Sequence, residues 1–274
     1  MMKNYKTRNK LAALLCGGLL AFVVALAGCG NGAPSGTSGG SGSSDGAGYS
    51  LITEGKLTVA ASLDFPPFEN LENGKAVGFA IDLTELLCAE MGLECNYLPS
   101  VKYDTILPMI TAGGKADVGV SSFTITEARK KEVDFTQPYC DSNQGIVVMK
   151  DSSYKKASDL AGKKIGAQSG TTGYDWAAEN IKGADVVAYD EMTAVFAALQ
   201  AGQIEAVAVD LPVAQYYVKN AYKDAYVIEE IPTGEQYGIA VSKDNPELTK
   251  ALDKALATVK QNGKYDELYK KWFG

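Results

Sequence analysis

The chain has 274 residues, a formal charge of −7 and no histidine. Its acidity excludes a nucleic-acid role, because phosphates demand a basic face. The missing histidines exclude Ser–His and Cys–His nucleophile pairs, His-ligated zinc and His general bases.

The chain begins with a positive segment carrying Lys3, Lys6, Arg8 and Lys10. An apolar run from Leu11 to Ala27 follows, with small residues near its end. It is short and contains Gly17 and Gly18, so residues 1–28 read as a cleaved signal rather than a spanning helix. The run ends in Leu26-Ala27-Gly28-Cys29, which looks like a bacterial lipobox, with the Cys29 thiol placed to carry a lipid. An ordinary signal or uncleaved anchor, with Cys29 incidental, is the other reading. Removing four cations and no acids takes the charge from −7 to −11. Residues 30–48 are almost entirely Gly, Ser, Ala, Thr and Asn, which cannot bury apolar surface. Such a coil spans about 25 Å and makes residues 29–48 a lipidated cysteine plus a flexible tether.

The folded body is then about residues 49–274. Leu57 to Ala61 reads as a buried strand, bounded by Gly55 and Pro66-Pro67. Phe79 to Glu90 has Leu83, Leu86 and Leu87 at helical spacing, with Gly92 as a stop. Strand 94–98, helix 103–112 and strand 117–120 follow, and this β-α-β-α-β order implies a parallel sheet with helices on both faces. The pattern restarts with strands at 145–149 and 163–167, a helix at 174–181, strand 186–189, helix 193–201 and strand 204–209. A strand at 237–241 precedes a long helix with Asn245 as its cap and Pro246 at its first position. Leu248, Leu252, Ala255, Leu256 and Val259 form its core stripe. A short helix carrying Tyr265, Leu268, Tyr269 and Trp272 ends the chain.

Three cysteines remain in the body, with no CxxC pair, so no metal site or thioredoxin-type centre is expected. Cys88 and Cys95 stand across a helix end and the next strand, where a bridge or two free thiols both fit. Cys140 is expected to be a buried free thiol.

In open α/β sheets, ligands sit beyond the carboxyl ends of the strands. There this sequence places Ser62 to Phe65, Ser121 to Thr124, Gln168 to Thr172, and Asp210. The run SSFTITEAR (121–129) predicts a loop and then a helix capped by Thr124 or Thr126, with Arg129 in its first turn. Helical side chains lean toward the N-terminus, which aims the Arg129 guanidinium back over Ser121 to Thr124 as a carboxylate receiver. A surface arginine paired with Glu127 or Glu132 is the bland alternative. QSGTTG (168–173) resembles an anion-binding loop entering a helix, or else a plain Gly/Thr turn. Asp210 emerges from AVAV and either seeks a cation or caps the helix that starts near Pro212. Arg129 and Asp210 together offer opposite charges to one zwitterion.

At this point the residues match a known family. GVSSFTITEARKKEVDFTQPYC (119–140) resembles the hallmark of the polar amino acid solute-binding proteins of ABC importers. FPPFE (65–69), VGFAIDL (77–83), IGAQSGTTG (165–173), LQAGQIEAVAVD (199–210) and the C-terminal YGIAVSKDNPEL and NGKYDELYKKWFG extend the match over residues 50–274. The resemblance implies a periplasmic-binding-protein-like α/β fold of type II: two lobes joined by two hinge strands. Lobe one is expected at 50–140 plus 236–274, lobe two at 141–235, and the hinges near 138–142 and 231–237. It implies that Arg129 takes the ligand carboxylate with Ser122, Thr124 and Thr172, and that Asp210 takes the α-amino group with Ser122. Phe65 and Tyr103 match aromatics that sandwich the ligand side chain. Gln168 lines lobe two, and Ser62 and Ser121 complete the expected set. Family members also bridge cysteines at the positions of Cys88 and Cys95. Ser62 stands where relatives often carry Asp, which argues against a strongly basic ligand. Ala80 replaces a commonly acidic residue.

The expected protein is a monomeric, lipid-anchored carrier on the outer face of the cell membrane. It would deliver a free neutral polar or basic amino acid to ABC permease subunits. It would have no cofactor and no enzymatic activity. A dehydratase on the same fold, with Asp64, Glu69 or Glu191 as its acid, and a sensory amino-acid-binding subunit are the alternatives.

Overall fold

The computed structural model describes residues 48–274 and the backbone of residues 42–43. The expected signal, Cys29 and nearly all of the tether lie outside the described residues.

Apolar, β-branched runs form the sheet and the intervening amphipathic segments cover it. The chain-order elements are β1 (Lys56–Ala60), α1 (Phe79–Met91), β2 (Glu94–Tyr97), α2 (Tyr103–Ala112), β3 (Val118–Thr124) and β4 (Cys140–Met149). Then come β5 (Lys164–Gln168), α3 (Thr172–Asn180), β6 (Asp185–Tyr189), α4 (Met192–Gln200), β7 (Ala206–Asp210) and α5 (Leu211–Asn220). β8 (Ala225–Val241), α6 (Pro246–Gln261) and α7 (Lys264–Phe273) complete the body. The main sheet runs β6-β5-β7-β4-β8-β3-β1-β2, with Asp134–Phe135 added against β8. β1 pairs in parallel with β2 and β3, and β5 pairs in parallel with β6 and β7. Two parallel triplets, each with its first strand in the centre, thus flank the antiparallel pair β4–β8.

That pair carries the chain between the halves. Cys140 faces Tyr237 and Met149 faces Ala225. The register slips in between: Ser142 pairs with Glu235, but Gln144 pairs with Ile231. Residues 232–234 therefore bulge opposite Asn143. The two segments expected as hinges are the start of β4 and this stretch of β8.

Phe79, Phe68 and Tyr237 are fully buried and meet edge to face, at 6.1 and 5.2 Å between centroids. Such pairs add about 1 kcal/mol each beyond area burial. A short meander through Asp64–Phe65, Glu69–Glu72 and Lys75–Val77 lies before α1. Gly78 makes it possible: at φ 140°, a Cβ there would lie 2.0 Å from the Phe68 carbonyl oxygen. On α6, Leu248, Leu252, Ala255, Leu256 and Val259 are buried as their spacing predicts.

Several expectations change. Ser121 to Thr124 is not a loop but the end of β3, wholly buried, because Thr124 and Phe123 pair with Tyr237 and Gly238 of β8. No α-helix follows Thr126. Residues 129–131 form one 3-10 turn, since the buried Val133 pulls the chain back to the sheet. Asn245 precedes α6, but its side chain bonds the Ser50 backbone instead of capping. The Cys88 and Cys95 sulfurs are joined, with Cα atoms 6.1 Å apart. Cys140 is free but half-buried rather than buried. Among the described residues, no helix is long and apolar enough to cross a membrane.

Candidate functional site

The carboxyl ends of the parallel strands from both halves meet in one cleft. Arg129 reaches it from the 3-10 turn. Thr126 Oγ1 accepts the Arg129 backbone N–H at 3.2 Å, which turns the chain without a helix. The guanidinium leans back toward β3 as expected. It donates to the Thr124 carbonyl at 2.8 Å, to the Tyr103 hydroxyl at 3.0 Å and to the Gly170 carbonyl at 2.9 Å in the opposite half. It also lies over the rings of Tyr103 and Phe123, which stack at 4.8 Å. This aromatic seat keeps the charge partly desolvated and fixes its plane. Neither Glu127 nor Glu132 pairs with it; Glu127 takes Lys130.

Asp210 ends β7 and is 5 % exposed. It precedes α5 but makes no side-chain cap. Its carboxylate instead accepts from the Tyr237 hydroxyl at 2.5 Å and the Ser142 hydroxyl at 3.4 Å. Burial, and then the nearby Glu235 carboxylate, push its pKa up to about 7, against the pull of the Tyr237 hydroxyl and the Gln144 amide. Tyr103 is the link between the two charges: its phenol feels Arg129, Asp210 and Glu235 together, and burial raises its pKa to about 12.

Thr124 and Thr172, one from each half, bring their hydroxyls within 3.4 Å. Thr172 begins α3, whose cap is Thr171, with Oγ1 accepting the Tyr174 N–H at 3.3 Å. Ser122 sits at φ 48°, a left-handed conformation costly for a non-glycine residue. Its hydroxyl is engaged by Glu69, with both carboxylate oxygens at 3.0 Å. Glu69 is completely buried, and burial raises its pKa well above the carboxylate range. Ser121 Oγ accepts the Ser62 N–H at 3.2 Å, so this serine joins β3 to the segment that follows β1.

The Ser62 hydroxyl donates to Asp64 at 2.7 Å. A carboxylate thus stands two residues beyond Ser62. Asp64 also accepts from Gln168 Nε2 at 3.2 Å and from the Met192 N–H at 2.6 Å, at the start of α4. Burial raises its pKa despite these three donors. Gln168, 1 % exposed, therefore crosses the cleft rather than only lining its own half. Phe65 is 7 % exposed and packs in the main core. At the rim, Lys102 pairs with Asp190, and the Ser169 hydroxyl donates to Asp104 at 3.0 Å.

Asp64, Glu69, Gln144, Glu235 and Tyr237 were missing from the sequence-derived ligand set. Gln144 pairs with Asp210 across β4 and β7, but it stands in the polar run Asp141 to Gln144, and nothing in that run singles it out. Glu235 had no signal either, because the bulge in β8 decides where it points.

Comparisons with known proteins agree with this architecture. Residues 57–274 match the family model described as bacterial extracellular solute-binding proteins, family 3. The chain is 34 % identical over 224 residues to ABC transporter arginine-binding protein 1 of Escherichia coli (strain K12), covering 80 % of this chain and 90 % of that protein. It is 33 % identical over 223 residues to the L-cystine-binding protein TcyJ of the same strain, covering 80 % and 83 %. An ancestral arginine-binding protein solved with arginine superposes with a TM-score of 0.75 at 40 % identity, covering 80 % of this chain and 99 % of that one. Those structural neighbours have the two-lobed type II fold. With the family model spanning most of the chain and two opposed charges lying in the cleft between its halves, the protein belongs to the bacterial extracellular solute-binding proteins, family 3.

Proposed function

We propose that this chain captures a free α-amino acid with a cationic side chain and presents it to an ABC importer. As a member of an extracellular family, it works outside the cytoplasm. The observation that carries the proposal is the charge balance of the cleft. The single guanidinium of Arg129 shares the site with two ligand-facing carboxylates, Asp64 reached through Gln168 and Asp210 held by Tyr237. A neutral zwitterion supplies one cation and one anion and leaves this acidic excess in place. A ligand with a second cation relieves it, because burial and mutual repulsion disfavour several ionised carboxylates together. The arginine-binding relatives support the same direction.

In this reading Arg129 takes the ligand carboxylate with Thr124 and Thr172, and Asp210 takes the α-ammonium. Tyr103 and Phe65 border the side chain, and Gln168 and Ser62 position Asp64. Ser121 and Ser122 shape the floor, the latter by holding Glu69. Lobe one comprises 50–140 plus 236–274, lobe two 141–235, and closure brings Thr172 and Asp210 over the ligand. Each charge-assisted hydrogen bond contributes roughly 1.5–3 kcal/mol. Cys29 anchors the protein to the membrane by a lipid.

The dehydratase alternative needs a proton donor in the cleft. Asp64 is held by three donors, which suits an acceptor, and Glu69 is sealed beneath Ser122. Incubation with a cyclohexadienyl acid should yield no product. Calorimetry with arginine, lysine, glutamine and cystine tests the main proposal. Arginine or lysine should bind most tightly; glutamine binding as well as either would remove the charge argument.

A further inference from the structure

The hinge contributes a carboxylate that no part of the ligand scheme uses. Glu235 Oε2 accepts from the Thr124 hydroxyl at 2.7 Å and from the Thr172 hydroxyl at 2.8 Å. Its Oε1 accepts from Gln144 Nε2 at 3.1 Å, and the same Nε2 donates to Thr172 Oγ1 at 3.2 Å. One carboxylate thus bridges hydroxyls from both lobes.

The backbone is built to put it there. The register slip between β4 and β8 loops out residues 232–234, and Gly234 closes that loop at φ 63°. Asn143 pins it from the opposite strand: its Oδ1 accepts the Gly234 N–H at 3.1 Å, while its amide donates to Glu230 at 2.7 Å. Without the bulge, the alternation of β8 would not aim residue 235 at this point.

A ligand α-carboxylate would need the same two hydroxyls beside Arg129. Two carboxylates cannot share them: both need those donors, and like charges a few ångströms apart repel. We propose that Glu235 is an affinity-setting residue of the binding site, an internal carboxylate that draws Thr124 and Thr172 together and that the ligand carboxylate must displace. This rests on the roles given above to Thr124 and Thr172. The device would hold the lobes together without ligand and weaken capture in return, because part of the binding energy goes into ejecting the side chain.

The test uses Glu235→Ala and the milder Glu235→Gln in the full folded body. Small-angle scattering without added amino acid should show a larger radius of gyration for Glu235→Ala than for wild type, with Glu235→Gln between them. In calorimetry, arginine should bind Glu235→Ala at least fivefold more tightly than wild type. An unchanged radius of gyration, or weaker arginine binding by both variants, would overturn the proposal. If wild type binds no amino acid while the variant still expands, the amino-acid reading fails and the bridging role of Glu235 stands.

Discussion

Asp210→Asn should move stability and binding in opposite directions. The side chain is buried and its pKa rises from 3.8 to about 7, chiefly through burial. A raised carboxyl pKa means that the fold prefers the protonated form. Stability is therefore complete below about pH 4 and declines as pH rises through about 7. At roughly 1.4 kcal/mol for each tenfold change in proton affinity, keeping Asp210 ionised at pH 8 costs about 4 kcal/mol. Asparagine keeps the shape, and its Oδ1 still accepts from Tyr237 and Ser142. Its amide needs an acceptor, which Glu235 can offer, so a gain of about 2–4 kcal/mol is expected, or roughly 5–15 °C in Tm for a body of this size. The gain should vanish at pH 4, where the wild-type carboxyl is protonated. Amino-acid binding should meanwhile fall about tenfold or more, because a charge-assisted bond to the α-ammonium is lost. Thermal unfolding at pH 4 and pH 8, paired with calorimetry at pH 8, reads both effects. An Asn variant less stable at pH 8, or one that binds as well as wild type, would refute the assignment of Asp210 as a desolvated anion awaiting a cation.

Arg129→Ala should weaken amino-acid binding at least tenfold by calorimetry; unchanged affinity would remove the carboxylate clamp. Asp64→Ala removes the cross-cleft acceptor of Gln168 Nε2, which keeps the Asp190 carbonyl, and the acceptor of the Met192 N–H. It should weaken arginine binding at least fivefold and glutamine binding less, and equal losses would assign Asp64 to closure alone. The Cys88→Ala/Cys95→Ala double variant opens a short loop and should lose about 2 kcal/mol in urea unfolding, with ligand affinity unchanged. Cys29→Ser should move the protein from the membrane fraction to the medium, and retention on the membrane would refute the lipid anchor.

Much of the fold was legible because periodicity reports burial. Alternation and apolar runs locate the strands, and the 3.6-residue stripe of Leu248, Leu252, Leu256 and Val259 locates α6. The candidate site was partly legible for a related reason. Polar residues that end apolar strands, such as Asp210 and Gln168, must sit at the strand ends where a cleft can form. The helix expected at Thr126 failed because local capping signals cannot foresee a buried Val133 pulling the chain back to the sheet.

The sequence by itself determined which residues are apolar, where strands must end and which charges stand at those ends. Only the tertiary structure decided which side chains meet. Ser62 turned out to hold Asp64, Ser122 to hold Glu69, and Glu235 to bridge Thr124 and Thr172. The last of these contacts depends on the register of the antiparallel pair β4–β8, which sets Glu235 opposite Ser142. A slip of one residue in such a pair reverses the face of every side chain, and no local pattern encodes it.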